Sequence, residues 1–431
     1  MRRMPENNAG ETSGDSINGR RPRRAALVFI FITVVLDMVA LGMIVPVLPM
    51  LVEQFEGGNP ARAAEIYGIF GTAWALMQFL ASPILGSLSD RFGRRAVVLI
   101  SCFGLGVDYV VMATAPSVRW LFIGRIVSGI CSATISTAYA YIADFAPPDK
   151  RASGYGMLSA AFGLGFVLGP ALGGWLGAIS PRLPFLVAAA FSLTNAMYGL
   201  IVLPESLPPE RRTDRFVWHT ANPLGSIGLL RANAELLGLA AVAFIGFVAH
   251  EALPTVFVLY AAYRFHWGSS TMGLALAGVG ICSIVVGAGM VQPMVARLGE
   301  RRVMLIGLLF GIAGFALCGL ASTDLWFALA IPLNGLWGLY GPPMQSLMTQ
   351  CVGESEQGQL QGAIGSIRGI AFMIGPIVFT TVFAAFIEKG MFASLKLPGA
   401  PFVLGSALLA ISTLLAWRAT QGPTRAAHTA A

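Results

Sequence analysis

Twelve apolar stretches, each near the length that crosses a bilayer, fill almost the whole chain, and no soluble fold can bury them all. They span residues 26–52, 64–89, 96–115, 119–145, 154–179, 184–204, 233–262, 269–296, 303–322, 325–351, 358–388 and 400–418. A hydrocarbon core about 30 Å thick takes about 20 apolar residues as helix, and inside it only helices and closed barrels satisfy their own backbone. Apolar residues make up 56% of the chain and charged residues 11%, against about 25% charged in an average soluble domain. The chain therefore reads as an all-α membrane protein of twelve helices in contact with the lipid bilayer.

The few charges orient it. Arg91, Arg94, Arg95, Lys150, Arg151, Arg211, Arg212, Arg215, Arg231, Arg297, Arg301 and Arg302 occupy alternate loops. With six arginines before residue 25 and Arg418 and Arg425, that side holds 20 of 28 cations. The other side holds six: Arg62, Arg119, Arg182, Arg264, Lys389 and Lys396. Cytoplasmic loops carry the cationic excess, so both termini are expected in the cytoplasm, which needs an even helix count. The basic balance is thus topogenic, and no nucleic-acid partner is expected. The first run is too long for a cleaved signal and holds Pro46 and Pro49; it reads as a retained helix. The expected organisation is a disordered tail (1–25), a six-helix bundle (26–204), a cytoplasmic linker (205–232), a second bundle (233–418) and a tail (419–431).

The halves are related. A shift of 206 residues carries Arg91, Gly93 and Arg95 onto Arg297, Gly299 and Arg301, Trp120 onto Trp326, Gly129 onto Gly335, and Gly169-Pro170 onto Gly375-Pro376. Two related six-helix halves in parallel orientation are a transporter architecture, with the substrate site near the midplane between them.

Three motifs stand out. The loop after segment 2 reads Gly86-Ser-Leu-Ser-Asp90-Arg91-Phe-Gly93-Arg94-Arg95; its glycines permit a tight reversal, and Asp90 can accept from a helix N-terminus and an arginine. Segment 5 carries Gly165, Gly169, Pro170, Gly173, Gly174 and Gly177. Glycines at spacing four make a smooth face for a close helix, and Pro170 makes a bend; static packing and gating both remain open. Segment 4 buries Arg125 several residues inside, where a charge needs a partner or a wet cavity.

These residues give the chain a family resemblance. Gly86–Arg95 resembles the loop 2–3 signature of the major facilitator superfamily, Ile123-Gly124-Arg125 with Gly129 its helix 4 motif, and Gly165–Gly174 the helix 5 motif of its antiporters. Within it the chain is similar to the twelve-helix drug:proton antiporters, the group that contains the tetracycline exporters. The strings that carry this include Leu36-Asp37 through Pro46-Val-Leu-Pro49, Ala75-Leu-Met-Gln78, Asp108-Tyr109, Ile142-Ala-Asp144 and Leu360-Gln361-Gly362. The resemblance implies two pseudo-symmetric six-helix bundles and proton-driven export by alternating access. Carried over by motif, Asp37 and Asp108 are membrane acids, Gln78 a pore residue, and Arg125 an arginine that pairs with acids. Asp90, Arg94 and Asp144, within the Gly86, Arg91 and Gly93 loop, would form a cytoplasmic charge lock. The chain departs from the tetracycline group at segment 9, where Gly311 stands in place of an acid, and at segment 8, where Cys282 stands in place of a histidine. It adds Glu251 beside His250, and Arg368. These departures count against tetracycline as the substrate.

Asp37, Asp108 and Glu251 are expected mid-helix. Burial raises a carboxyl pKa and a nearby arginine lowers it, so an acid whose partner comes and goes binds and releases a proton once per cycle. The bland alternative is a permanent ion pair, such as Asp37 or Asp108 with Arg125. Arg368 can pair with Glu251 or attract an anionic substrate. Aromatics such as Trp337 and Tyr340 are more often packing than pocket. The leading reading is a proton-coupled exporter of an amphipathic small molecule or drug in the inner membrane of a bacterium, working as a monomer. A symporter or facilitator of a metabolite is the alternative. An intramembrane enzyme is the remote one, since neither HExxH nor GxSxG occurs. The sequence holds no P-loop, so no cofactor is expected and a proton gradient supplies the energy. Cys102, Cys131, Cys282, Cys318 and Cys351 lie in or at the ends of apolar segments without paired spacing; no metal site or disulfide is expected.

Overall fold

The computed structural model describes residues 20–132, 134–145, 151–208, 210, 212, 225, 227–231, 234–353, 356–387 and 390–421. Helix α1 runs Arg20–Ile44 and resumes as Leu48–Phe55; α2 is Pro60–Phe92, α3 Arg94–Thr114, α4 Val118–Cys131 followed by Thr134–Phe145, α5 Arg151–Ile179 and α6 Leu183–Val202. The second half holds α7 (Ala234–His250 and Ala252–Phe265), α8 (Ser269–Ile284, a π segment Val285–Met290, then Val291–Leu298) and α9 (Glu300–Leu320). It continues with α10 (Asp324–Leu336, a 3-10 turn Trp337–Leu339, then Gly341–Thr349), α11 (Gln357–Phe386) and α12 (Ala400–Ala419). Among the described residues ten spans are long and apolar enough to cross a membrane. The other two expected crossings are the interrupted α4 and α10.

Several expectations need correction. The first helix begins at Arg20, so 20–25 belong to α1 rather than to a tail; residues 1–19 and 422–431 of the expected tails lie outside the described residues. Within the expected linker, Ile227–Arg231 forms a 3-10 turn that buries Leu229 and Leu230 and packs on α11; most of the remainder lies outside the described residues. The seventh segment is not continuous. It breaks in a turn at Glu251, because Pro254 has no N–H to donate to the His250 carbonyl and its ring crowds that group. Glu251 is therefore at a helix break and not mid-helix. The break in α1, at 45–47 around Pro46, is its repeat counterpart: the 206-residue shift carries Val45 onto Glu251. The 3-10 turn in α10 has the same cause, since Pro342 and Pro343 cannot bond back to Gly338 and Leu339.

The packing is inside-out relative to a soluble protein. Ile201 is 84% exposed and Trp175 62% exposed on the outer surface, while Asp37, Asp108 and Asn195 are buried. In the first half α1 lies between α5 and α6, α3 packs on α6, and α2 on α4; in the second, α12 packs on α7 and α9. The halves meet along two seams, α5 on α8 and α2 on α11. Both seams are tight toward the end opposite loop 2–3. There Thr72 Oγ1 donates to the Met373 carbonyl at 2.7 Å, a methyl on Gly71 would lie 2.9 Å from Pro376, and one on Gly174 2.8 Å from the Gly273 Cα. Toward loop 2–3 a methyl on Gly86, Gly287, Gly289, Gly358 or Gly365 would meet open space. The repeat is also visible in backbone detail. Gly93 (φ 101°) and Gly299 (φ 80°) make the same left-handed reversal, at corresponding positions, which only glycine adopts without strain.

Candidate functional site

Three helices of the first half, α1, α3 and α4, bring charged residues together, and α2 lays an aromatic and amide face beside them. Asp37 on α1 is 5% exposed and Asp108 on α3 is 2% exposed. Neither oxygen of the Asp108 carboxylate has a hydrogen-bond partner, and no ion pair within 4 Å joins it to another described residue. Its room comes from a glycine: a methyl on Gly124 of α4 would lie 2.7 Å from Asp108 Oδ1 and 2.5 Å from Met112 Cγ. The next residue, Arg125, is close enough to act on Asp108 electrostatically. Its guanidinium instead lies over the Trp74 ring of α2, 5.4 Å from the centroid, and its Nε donates to nothing. A permanent Asp108–Arg125 bridge is therefore absent. The phenol of Tyr109 feels Asp37, Asp108 and Arg125 together, and Tyr67 feels both Arg125 and Glu251. Tyr67, Trp74 and Gln78 fall at helical spacing on one face of α2. Gln78 is half-buried and hydrogen-bonds to no described residue. Tyr67 and Trp74 escaped the sequence reading, because helical spacing alone does not separate pore aromatics from packing.

The second half contributes a different set. Glu251 is 8% exposed, with its stem against the bare backbone of Gly375 on α11. Its Oε1 lies 3.6 Å from Nδ1 of the adjacent His250. Arg368 is exposed on α11 and stacks over Phe247 of α7, 4.7 Å from the ring centroid. His250 packs beside Trp337 (5.7 Å) and Phe372 (6.5 Å). On α9 the bare Gly311 accommodates Trp337, whose Cδ1 would lie 2.7 Å from an added methyl.

Loop 2–3 forms a compact network. Arg94 Nη1 pairs with Asp90 Oδ1 at 2.6 Å and Arg94 Nε with Asp144 Oδ2 at 3.2 Å, while Arg91 lies over the neighbouring Phe92 ring. Every one of these partners lies in the first half. The sequence reading missed the residue at the centre of the network. Glu205, just after α6, accepts through Oε1 from the backbone N–H groups of Arg94 (2.9 Å), Ser206 (3.0 Å) and Leu207 (3.1 Å), and more weakly from Arg95 (3.5 Å). Two of these are orphan donors of the α3 N-terminus, where a carboxylate is favoured. Glu205 Oε2 faces Arg212 of the linker at 3.6 Å. No spacing rule points to it, since the α3 donors it meets lie 110 and 111 residues away. The second half answers with different chemistry: Glu300 accepts from Ser346 Oγ and from Gln350 Nε2 (2.8 Å), and the 206-residue shift places Glu300 on Arg94 and Gln350 on Asp144. Glu300 also borders a recess of about 800 Å³ with Gln292, Ala296 and Pro343, remote from the intramembrane charges.

The α5 glycines serve two neighbours. Gly165, Gly169 and Gly173 form the bed on which α1 lies, at Met38, Gly42 and Met43, while Gly174 meets α8 at Gly273. Pro170 sits between these faces, against Gly42 at 2.9 Å from its added methyl.

Comparison with known proteins bears on the family and the fold. The family model described as Major Facilitator Superfamily matches residues 30–376 and again 287–430. The tetracycline resistance protein of class C from Escherichia coli is 37% identical over 361 residues, 84% of this chain and 90% of that protein. The class G protein from Vibrio anguillarum is 36% identical over 366 residues, 84% of this chain and 91% of the relative. Among solved structures, the nucleoside transporter NupG superposes with a TM-score of 0.73 at 14% identity, covering 92% of this chain and 99% of that one; that likeness is one of fold.

Proposed function

We infer that this chain, which belongs to the major facilitator superfamily, is a proton-coupled exporter of an amphipathic small molecule. Membership makes it a membrane transporter and not an enzyme. The relatives named tetracycline resistance proteins support efflux of a drug-like compound from the inner membrane, and the loop cations support cytoplasmic termini. In that orientation the tight end of the seams faces outward, as one extreme of alternating access requires.

The observation that carries the reading is the state of Asp108. A carboxylate 2% exposed, lacking a hydrogen bond and beside an arginine that stacks elsewhere, is not a closed structural ion pair. With no polar group bonded to it at the α3–α4 contact, that carboxylate is left open to a proton. Movement of Arg125 from the Trp74 face toward Asp108 or Asp37 would favour the ionised form and release that proton. Glu251, with His250 at the α7 break, supplies a matching acid in the second half, and Tyr67 is placed to sense both sides. Gln78 offers a free amide to the substrate. The Asp90–Arg94–Asp144 network, on the Gly86, Arg91 and Gly93 loop, holds the inner ends of α2, α3 and α4 as one body. The glycine bed of α5 lets α1 stay against it while the halves rock. No cofactor is required; the proton gradient drives the cycle, and a monomer suffices because both halves reside in one chain.

The test is transport in inverted membrane vesicles with an acidified lumen and a pH-sensitive dye, over a panel that starts with tetracycline and extends to other amphipathic compounds. Addition of a substrate releases lumenal protons. A panel in which no compound moves protons contradicts the reading.

A further inference from the structure

We propose that the inner end of α8, Val291–Leu298, is a hinged flap. It stands away from α10 while the outer seam is tight, as here, and closes onto α10 when that seam opens. The inference goes beyond the export reading and takes from it only that the chain has two end states. The α5–α8 seam stays close as far as Ile284, where a methyl on Gly163 would lie 3.1 Å from Ile284 Cγ1. At the next residue the helix changes. Val285–Met290 is a π segment, and the Val291 N–H donates to the Val286 carbonyl, five residues back. Helices kink at such bulges, which gather at functional sites. The π segment packs against the 3-10 turn of α10, Trp337–Leu339, with Val286, Val291 and Leu339 in one buried cluster. Two irregular segments side by side draw a line across the second half, about which a helix end beyond them can turn.

Beyond that line α8 and α10 stand apart. A recess of about 800 Å³ lies between them, lined by Val291, Pro293, Val295 and Ala296 on α8 and by Pro342 and Pro343 on α10. Of the eight residues Val291–Leu298 only Val291 is buried, and the segment packs on α9. The first half shows what holds the corresponding end still. There α2 runs unbroken from Pro60 to Phe92, and Asp90 ties its inner end to Arg94. The 206-residue shift puts Ala296 at the position of Asp90 and Glu300 at that of Arg94. Glu300 turns to the opposite wall, where it accepts from Ser346 Oγ and from Gln350 Nε2 (2.8 Å). Among the described residues, then, α10 is fastened to α9 through Glu300, while no ion pair holds Val291–Leu298. The facing walls are mainly apolar, so bringing them together removes that surface from solvent and favours closure. A few residues at the end of an element are enough to absorb such a swing.

The test is disulfide trapping inside the second half, where rigid rocking of one half against the other changes nothing. In a background lacking the five native cysteines, Ala296→Cys and Pro342→Cys place thiols on the two walls. The purified full chain in lipid nanodiscs is oxidised with copper phenanthroline, and the cross-linked product is followed by mass spectrometry. Gly174→Trp imposes the second end state: even a methyl there would lie 2.8 Å from the Gly273 Cα, so an indole wedges the outer seam apart. The cross-link forms at least fivefold faster with the wedge than without it. Gly71→Leu, which meets Pro376 in the other seam, is the second wedge and gives the same acceleration should Gly174→Trp not fold. Gly287→Ala with Gly289→Ala adds methyls that meet open space; it stiffens the joint and slows the cross-link in wedged protein at least threefold. Equal rates with and without a wedge, no cross-link in any variant, or an unchanged rate in the double alanine variant overturns the proposal. The measurement needs neither a substrate nor a proton gradient, so its failure leaves the export reading standing, and failure of export leaves the flap standing.

Discussion

At the scale of single residues the chemistry turns on how glycine and carboxylate share space. Asp108 can lie buried at the α3–α4 contact only because residue 124 has no side chain. Gly124→Ala would put a methyl 2.5 Å from Met112 Cγ and 2.7 Å from Asp108 Oδ1. Overpacking of this kind costs about 1–3 kcal/mol, so the variant should melt several degrees lower in detergent and transport poorly. Asp37→Asn tests the coupling without adding bulk: its melting temperature should stay near wild type while substrate-driven proton release falls at least tenfold. Full activity would remove Asp37 from the coupling set. The intramembrane charges were legible in the sequence because a charge in an apolar run is rare and costly. Their pairing was not. Whether Arg368 meets Glu251 depends on rotation about α7 and α11, and the sequence reading left open whether it pairs with Glu251 or attracts an anionic substrate.

At the scale of elements, Glu205 joins the end of α6 to the start of α3. Its carboxylate serves backbone donors that would otherwise be orphaned. Glu205→Ala should destabilise the first half by about 1–3 kcal/mol, the usual cost of unsatisfied buried donors, and Glu205→Gln by less, since one carbonyl acceptor remains. Thermal unfolding of the two purified variants checks the order; equal melting temperatures for wild type and Glu205→Ala would contradict it. Helix existence was legible from the apolar runs, and the glycine stripe of α5 from its spacing. The break in α7 also had a signal, Pro254, which a continuous apolar run concealed. The π segment at Val285–Met290 had none beyond Gly287 and Gly289.

At the scale of the molecule, two related bodies meet along two seams that are tight at the end opposite loop 2–3. The 206-residue repeat and the cation asymmetry made that architecture readable, because both are global patterns that tolerate local error. Which end is closed was not readable, since one sequence must stabilise both arrangements. The closed end predicts a specific cross-link. A methyl on Gly177 of α5 would lie 3.3 Å from the Ser269 Cβ of α8, near the about 3.5–4.5 Å that a disulfide prefers. In a background lacking the five native cysteines, Gly177→Cys with Ser269→Cys should oxidise readily and stop transport, and reductant should restore it. Undiminished transport in the oxidised protein would mean that this seam does not open.

The central claim is that protons move through Asp108, a buried carboxylate that neither hydrogen-bonds nor ion-pairs with a described residue. Its most direct test is proton release in inverted vesicles on addition of a transported substrate, comparing wild type with Asp108→Asn at equal protein level. The account predicts prompt release in the wild type and at most a tenth of it in Asp108→Asn, with substrate binding retained. Proton release of equal rate and extent in the two would contradict it.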